Sequence, residues 1–274
     1  MVMRSRVAMS PYVHGYSEME ACRLTDQADT LADLLHSKIM FPAGNRVLEV
    51  GCGIGAQTVH LAKNSPGAHF ISFDSSCDSI EKARRRIARE DLTNVHLDIA
   101  DIYRLPYESG SFDHVFVCFV LEHLRDPLIA LDGLKQVLKK GGSISAIEGD
   151  HGSYYCHPKS RAADHTVQCL IDIQAHKHGN SLIGRQLYPL LVHAGFGEVR
   201  VSPRMVYVDS SRPDLVEGFT KKTFIAMVEG VKDEALSLGL SDEGTWNQGI
   251  EDLYRATRED GVFCYTFFHA TALK

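Results

Sequence analysis

Between residues 47 and 55 an apolar run, Val47-Leu48-Glu49-Val50, gives way to alternate glycines, Gly51-Cys52-Gly53-Ile54-Gly55. The run is too short for a helix and stands directly before one, so it reads as a buried strand turning into a helix. Glycines are needed at such a turn because a side chain there would hold a nucleotide away from the backbone. The feature commits this part of the chain to an α/β arrangement. It leaves the cofactor open, since Gly51 to Ala56 also satisfies the G-x-G-x-x-A pattern of nicotinamide and flavin enzymes.

The surrounding pattern alternates in the same sense. Ser17-Glu18-Met19-Glu20 reads as a capping box for a helix with the apolar stripe Leu24, Ala28, Leu31, Leu35, ended by Pro42-Ala43-Gly44. After the glycine loop come a strand from His69 to Phe73 meeting Asp74, a helix marked by Ile80, Ala83 and Ile87, and a strand from Val95 to Leu97. Asp113 to Val120 is almost wholly apolar, as a strand covered on both faces must be. A helix with Leu128, Leu131, Leu134 and Val137 is expected to end at Gly141-Gly142, before a strand from Ser143 to Ile147. Strands alternating with helices imply a parallel sheet with right-handed crossovers. Beyond residue 149 the alternation weakens: a loop and two helices, a strand from Val199 to Val208, a helix from Pro213 to about Leu238, another from Thr245 to Arg258, and a last strand from Val262 to Ala270.

One domain covering residues 1–274 is the simplest division. Its parts are an N-terminal helical segment or lid (1–45), a cofactor-binding core (46–148) and an acceptor-side half with helical insertions (149–274). Hydrophobic residues make up 44% and charged residues 23% of the 274, the balance of a soluble globular protein. No run is long enough to span a bilayer, and the N-terminus does not read as a secretory signal. The 7 cysteines show no C-x-x-C spacing, so a reducing, cytoplasmic setting is expected, with neither a disulfide framework nor a zinc site. The formal charge of −6 gives no general reason to seek phosphate backbones, and the basic run Lys82 to Arg89 reads as a solvated helix face. No nucleic-acid partner is expected. Exchange of the N-terminal segment between subunits would make a homo-oligomer.

The segments that follow separate the cofactor classes. Asp98-Ile99-Ala100-Asp101-Ile102, Leu105-Pro106-Tyr107, Ser111-Phe112-Asp113-His114-Val115, Leu121-Glu122-His123-Leu124 and Leu138-Lys139-Lys140-Gly141-Gly142 occur in order. From residue 46 to 148 the chain resembles class I S-adenosylmethionine-dependent methyltransferases of the small-molecule branch, which includes quinone and sterol methyltransferases. The resemblance implies a Rossmann-like α/β fold: a seven-stranded, mostly parallel sheet with helices on both faces, the last strand antiparallel, and helical insertions after strands 5 and 6. It implies S-adenosylmethionine as cofactor. By it, Glu49 belongs to the loop motif, Gly51, Gly53 and Gly55 approach the methionine and ribose, and Asp74 holds the ribose diol. Asp101 accepts from the adenine amino group, Ile102 flanks the ring, and Phe119 passes near the sulfonium. Ser75 replaces the bulkier apolar residue that often covers the adenine. Tyr12 and Tyr16 are the candidates for an aromatic closing over the cofactor, with a cation–π attraction to the sulfonium.

Methyl transfer needs a base only when the acceptor must lose a proton to become nucleophilic. Asp150, His151 and His157, after the fifth strand, are the candidates, and His151 has the suitable titration range. Two of the 14 histidines, His176 and His178, stand two apart on a helix and face different ways, so no metal is expected. The stripe Val216, Phe219, Phe224, Met227, Val228 belongs to a core or a lid. The expected activity is methylation of a small molecule. A macromolecule methyltransferase is disfavoured by Phe119-Val120-Leu121-Glu122, where an Asn/Asp-Pro-Pro-Tyr/Phe motif would stand. A cofactor-binding regulator of the same fold is the remaining alternative.

Overall fold

The structure is a computed structural model and describes residues 18–274; Tyr12, Tyr16 and Ser17 lie outside the described residues. Helix α1 (Glu18–His36) precedes a run of alternating elements. These are β1 (Arg46–Val50), α2 (Ala56–Asn64), β2 (His69–Asp74), α3 (Cys77–Arg89), β3 (Val95–Ile99), β4 (Phe112–Cys118), α4 (Pro127–Val137) and β5 (Leu138–Gly149). The five strands pair in parallel in the order β3-β2-β1-β4-β5. Strand β8 (Val262–Leu273) then runs antiparallel beside β5, and β7 (Gly197–Val208) lies antiparallel along the other edge of β8.

Side chains alternate across the strands and build one apolar layer on each face. Val47, Phe70, Phe116 and Ile147 enter one layer; Leu48, Val115, Val117 and Ala146 enter the other. The helix caps follow the sequence where short polar residues stand ready: Ser76 accepts from the Ser79 N–H and Asp126 from the Ile129 N–H.

Three elements depart from expectation. The sheet has eight strands, not seven: Tyr155–His157 forms a short β6 that pairs antiparallel with Val262 to Cys264 of β8, a stretch that β5 does not reach. Gly141 and Gly142 do not end a helix, because α4 stops at Val137 and both lie inside β5. Gly141 adopts φ +78°, and a Cβ on Gly142 would come within 2.8 Å of the Asp113 carbonyl, so the pair makes the irregularity that shifts the β4–β5 register. The helix expected from Pro213 to about Leu238 is broken into α7 (Pro213–Leu215), a π-helix (Val216–Ile225), α8 (Ala226–Glu229) and α9 (Lys232–Ser237). The wider π turn brings both Phe219 and Phe224 into buried positions. Between β6 and β7 lie α5 (Arg161–His176) and α6 (Leu187–His193), and α10 (Glu243–Arg255) precedes β8. Among the described residues no helix is long and apolar enough to cross a membrane.

Candidate active site

A cavity of about 220 Å³ opens at the carboxyl ends of β1, β2, β4 and β5. One end of it is built largely from backbone. Gly51 and Gly53 line it with φ of +63° and +52°. A Cβ on Gly51 would stand 2.6 Å from Val120 Cγ2, whereas one on Gly53 would meet nothing within 4 Å. The first glycine therefore lets the loop approach the segment after β4, and the second leaves its side of the loop open. Gly55 does a different job. It adopts φ +76° before α2, and a Cβ there would lie 3.2 Å from Ala83 Cβ, so it sets the approach of α2 to α3 and does not line the cavity.

Asp74 ends β2 and lines the same cavity. Its Oδ2 accepts from the Gly53 N–H at 2.9 Å and its Oδ1 from the Ser76 N–H at 2.8 Å. A carboxylate offers about four lone-pair positions, so roughly two remain for a diol. Burial raises the Asp74 pKa, and the backbone N–H groups of Ser76 and Gly53 oppose that shift. Ser75, Ala100 and Ile102 continue the wall. Asp101 is not among the lining residues: its Oδ1 accepts from the Tyr103 N–H at 2.9 Å. Glu49 is sealed beneath the loop, 2% exposed, and accepts from the Ser72 hydroxyl at 2.6 Å.

Helix α1 covers the loop. Arg23 and Glu20 form a buried two-point ion pair, with both N···O distances 2.7 Å, and Arg23 also donates to Gln27 Oε1 at 3.0 Å. All three residues line the cavity.

The other end is aromatic. Phe119, Phe219, Phe224, Tyr265 and Phe267 line it, with ring centroids 4.8 Å apart for Tyr265–Phe267, 5.5 Å for Phe119–Phe267 and 5.6 Å for Phe224–Tyr265. Phe119 holds φ +57°, an uncommon conformation for a side chain of this size. Its N–H is anchored to the Ile147 carbonyl at 2.9 Å, which keeps the β4 exit turned into the cavity. The stripe expected to be core or lid is both: Phe219, Phe224 and Met227 line the cavity, while Val216 and Val228 are core.

Beneath this aromatic end lies a polar floor. Glu148, fully buried at the end of β5, accepts from the Val120 and Leu121 N–H groups at 3.0 and 2.8 Å. Burial drives its pKa well above the usual carboxylate range, and the neighbouring Glu122 adds to the rise. Glu122 lines the cavity and its Oε2 accepts from Gln174 Nε2 at 3.2 Å.

The three candidate bases part company. His151 lines the cavity, 4% exposed, with Nδ1 2.8 Å from the Tyr265 hydroxyl, and burial lowers its pKa. Asp150 does not line it: the side chain is engaged by Arg185 at 2.7 and 2.8 Å and by the Gly152 N–H. His157 stands exposed on β6, away from the cavity wall. Arg23, Gln27, Glu122 and Tyr265 line the cavity, and Glu148 lies beneath it, without a role that sequence reasoning assigns. Glu148 carries a usable signal, a carboxylate directly after the buried pair Ala146-Ile147 near the end of a strand. Tyr265 carries none, because its partner lies 114 positions away.

Residues 42–194 match the family described as "Methyltransferase domain". The chain belongs to the methyltransferase domain family. Its sheet order and antiparallel β8 are those of the class I S-adenosylmethionine-dependent fold, and the cofactor of that fold is S-adenosylmethionine. The glycine loop and the half-free Asp74 carboxylate fit its adenosyl part. Over 235 residues the chain is 33% identical to an uncharacterized 37.1 kDa protein in transposon TN4556 of Streptomyces fradiae, covering 83% of this chain and 66% of that protein. It is 39% identical over 107 residues to the demethylmenaquinone methyltransferase of Clavibacter sepedonicus, covering 39% of this chain and 42% of that one. The chain thus spans about two-fifths to two-thirds of the length of these relatives. Among solved structures it is similar to phosphoethanolamine N-methyltransferase 2 of Haemonchus contortus in complex with S-adenosyl-L-methionine, with TM-score 0.54 and 18% identity over 90% of this chain and 52% of the other. At that identity the likeness shows the fold.

Proposed function

We propose that this methyltransferase-family chain moves a methyl group from S-adenosylmethionine to a small molecule with an apolar body. One observation carries the reading: the glycine loop with Asp74 and the aromatic end with His151 line one and the same cavity. S-adenosylmethionine, when bound, supplies a methyl carbon activated by its sulfonium. The residues present divide the remaining work. Asp74 and the Gly51–Gly53 backbone would hold the nucleoside, with Ala100 and Ile102 against its base. The rings of Phe119, Phe219, Phe224 and Phe267 would exclude water and fix the acceptor in line, which is where such a displacement gains most. Demethylmenaquinone, named for one relative, has the apolar and aromatic character these walls suit.

Titration calorimetry with S-adenosylhomocysteine and, separately, with NAD tests the reading. Heat from the first and none from the second is the expected result; NAD binding alone would sink it. Methyl turnover from labelled S-adenosylmethionine over a panel of aromatic and quinone-like acceptors then separates an enzyme from a protein that only binds the cofactor.

A further inference from the structure

The hydroxyl of Tyr265 is fully enclosed, and it reaches its place only because residue 149 is glycine: a Cβ there would stand 2.4 Å from Oη. The hydroxyl has one proton of its own to give. Among the described residues, the acceptor within hydrogen-bond distance is His151 Nδ1, at 2.8 Å. Leaving a buried hydroxyl proton unsatisfied costs about 1–3 kcal/mol, so the phenol proton points at Nδ1. A neutral imidazole carries one proton, and with Nδ1 accepting, that proton must sit on Nε2.

We propose that Tyr265 is a positioning residue that fixes His151 as the Nε2–H tautomer, so that the histidine serves the acceptor as a hydrogen-bond donor and not as the base that deprotonates it. Two further observations agree. His151 Nε2 is buried with no partner among the described residues, on a ring that lines the cavity, so an oxygen of the acceptor would satisfy it. Burial lowers the pKa of the ring, which keeps it neutral at physiological pH. The tautomer follows from the fold alone; its service to an acceptor rests on the methyl-transfer reading given above.

The test needs no acceptor. Protein labelled with ¹⁵N-histidine and saturated with S-adenosylhomocysteine is observed by long-range ¹H–¹⁵N correlation at pH 7.5. His151 is assigned by its loss in His151→Gln or, should that variant not fold, by contacts of its ring protons with Tyr265 and Phe224. The expected pattern is a protonated Nε2 and an unprotonated Nδ1. Tyr265→Phe, or Gly149→Ala if the first variant does not fold, is expected to admit the other tautomer to a detectable fraction. An Nδ1–H or doubly protonated ring in the unmodified protein would overturn the proposal, as would a pattern that survives both substitutions unchanged. Absence of methyl turnover would overturn the functional reading and leave the tautomer result standing.

Discussion

The two ends of the cavity are made by opposite means. The glycine-loop end is local: a strand, a glycine turn and a strand-end aspartate, with Gly53 and Asp74 joined across 21 positions by one 2.9 Å hydrogen bond. The aromatic end is assembled from afar, by rings on the π-helix and β8 meeting His151 and the β4 exit. Backbone geometry fixes the first, and it changes little unless a glycine or the carboxylate is touched. Mutual packing of large side chains fixes the second, so its shape and its stability are the same property.

The largest effect that can break this contrast comes from Phe224→Ala. Phe224 is 1% exposed and packs on Tyr154, Phe263 and Tyr265. Its truncation is expected to cost about 3–5 kcal/mol in urea unfolding, while the folded fraction retains S-adenosylhomocysteine affinity within a few-fold. An equal collapse of cofactor binding would mean that the two ends are one unit.

Next is a pH effect beneath the glycine loop. Burial pushes the Glu49 carboxyl up to about 7 from its ordinary 4.5. Between those values the folded chain holds a proton that the unfolded chain has released, so stability falls as pH rises through this window and levels off above it. Glu49→Gln removes this contribution. The fall in unfolding free energy between pH 5 and pH 8 is expected to shrink by about 2–3 kcal/mol relative to the unmodified protein, and an undiminished fall would place the titrating group elsewhere.

Asp74→Ala is the mirror image of Phe224→Ala. It is expected to weaken S-adenosylhomocysteine binding by about 1.5–3 kcal/mol, the range for a hydrogen bond to a charged group, with little change in the urea midpoint. Unchanged affinity would mean the ribose is held by other groups. The smallest effect is expected from Asp101→Ala. The Asp101 carboxylate is already engaged by the Tyr103 N–H, so the loss in the same titration should be about 0.5–1.5 kcal/mol. A loss as large as that of Asp74→Ala would restore it as a full partner of the adenine.

The same contrast explains how much of the fold and of the site is legible in the amino-acid sequence. The succession of strands and helices, and the placing of Gly51, Gly53 and Asp74 along one cavity wall, are legible because turn chemistry and strand-end positions are encoded in adjacent residues. The role of Gly55 is not, since φ > 0 is needed both for ligand approach and for close packing on Ala83, and a glycine pattern cannot tell them apart. The π-helix is hidden because Val216 to Ile225 keeps an apolar spacing that an α-helix would also show, while the segment packs against α1 through tertiary contacts. Asp150 resembles a base because it follows a strand; its engagement with Arg185, 35 positions on, is a tertiary fact. Tyr265 leaves no trace in the pattern at all, because its role depends on a gap left by Gly149 on a neighbouring strand.

The stretch shared with the family, residues 42–194, contains the glycine loop, Asp74 and His151, but neither α1, nor the π-helix, nor β8. The roof and far wall of the chamber thus stand on elements other than those that carry the glycine loop and Asp74. Substitutions at Phe219, Phe224, Tyr265 and Phe267 would reshape that wall without touching the backbone of the glycine loop.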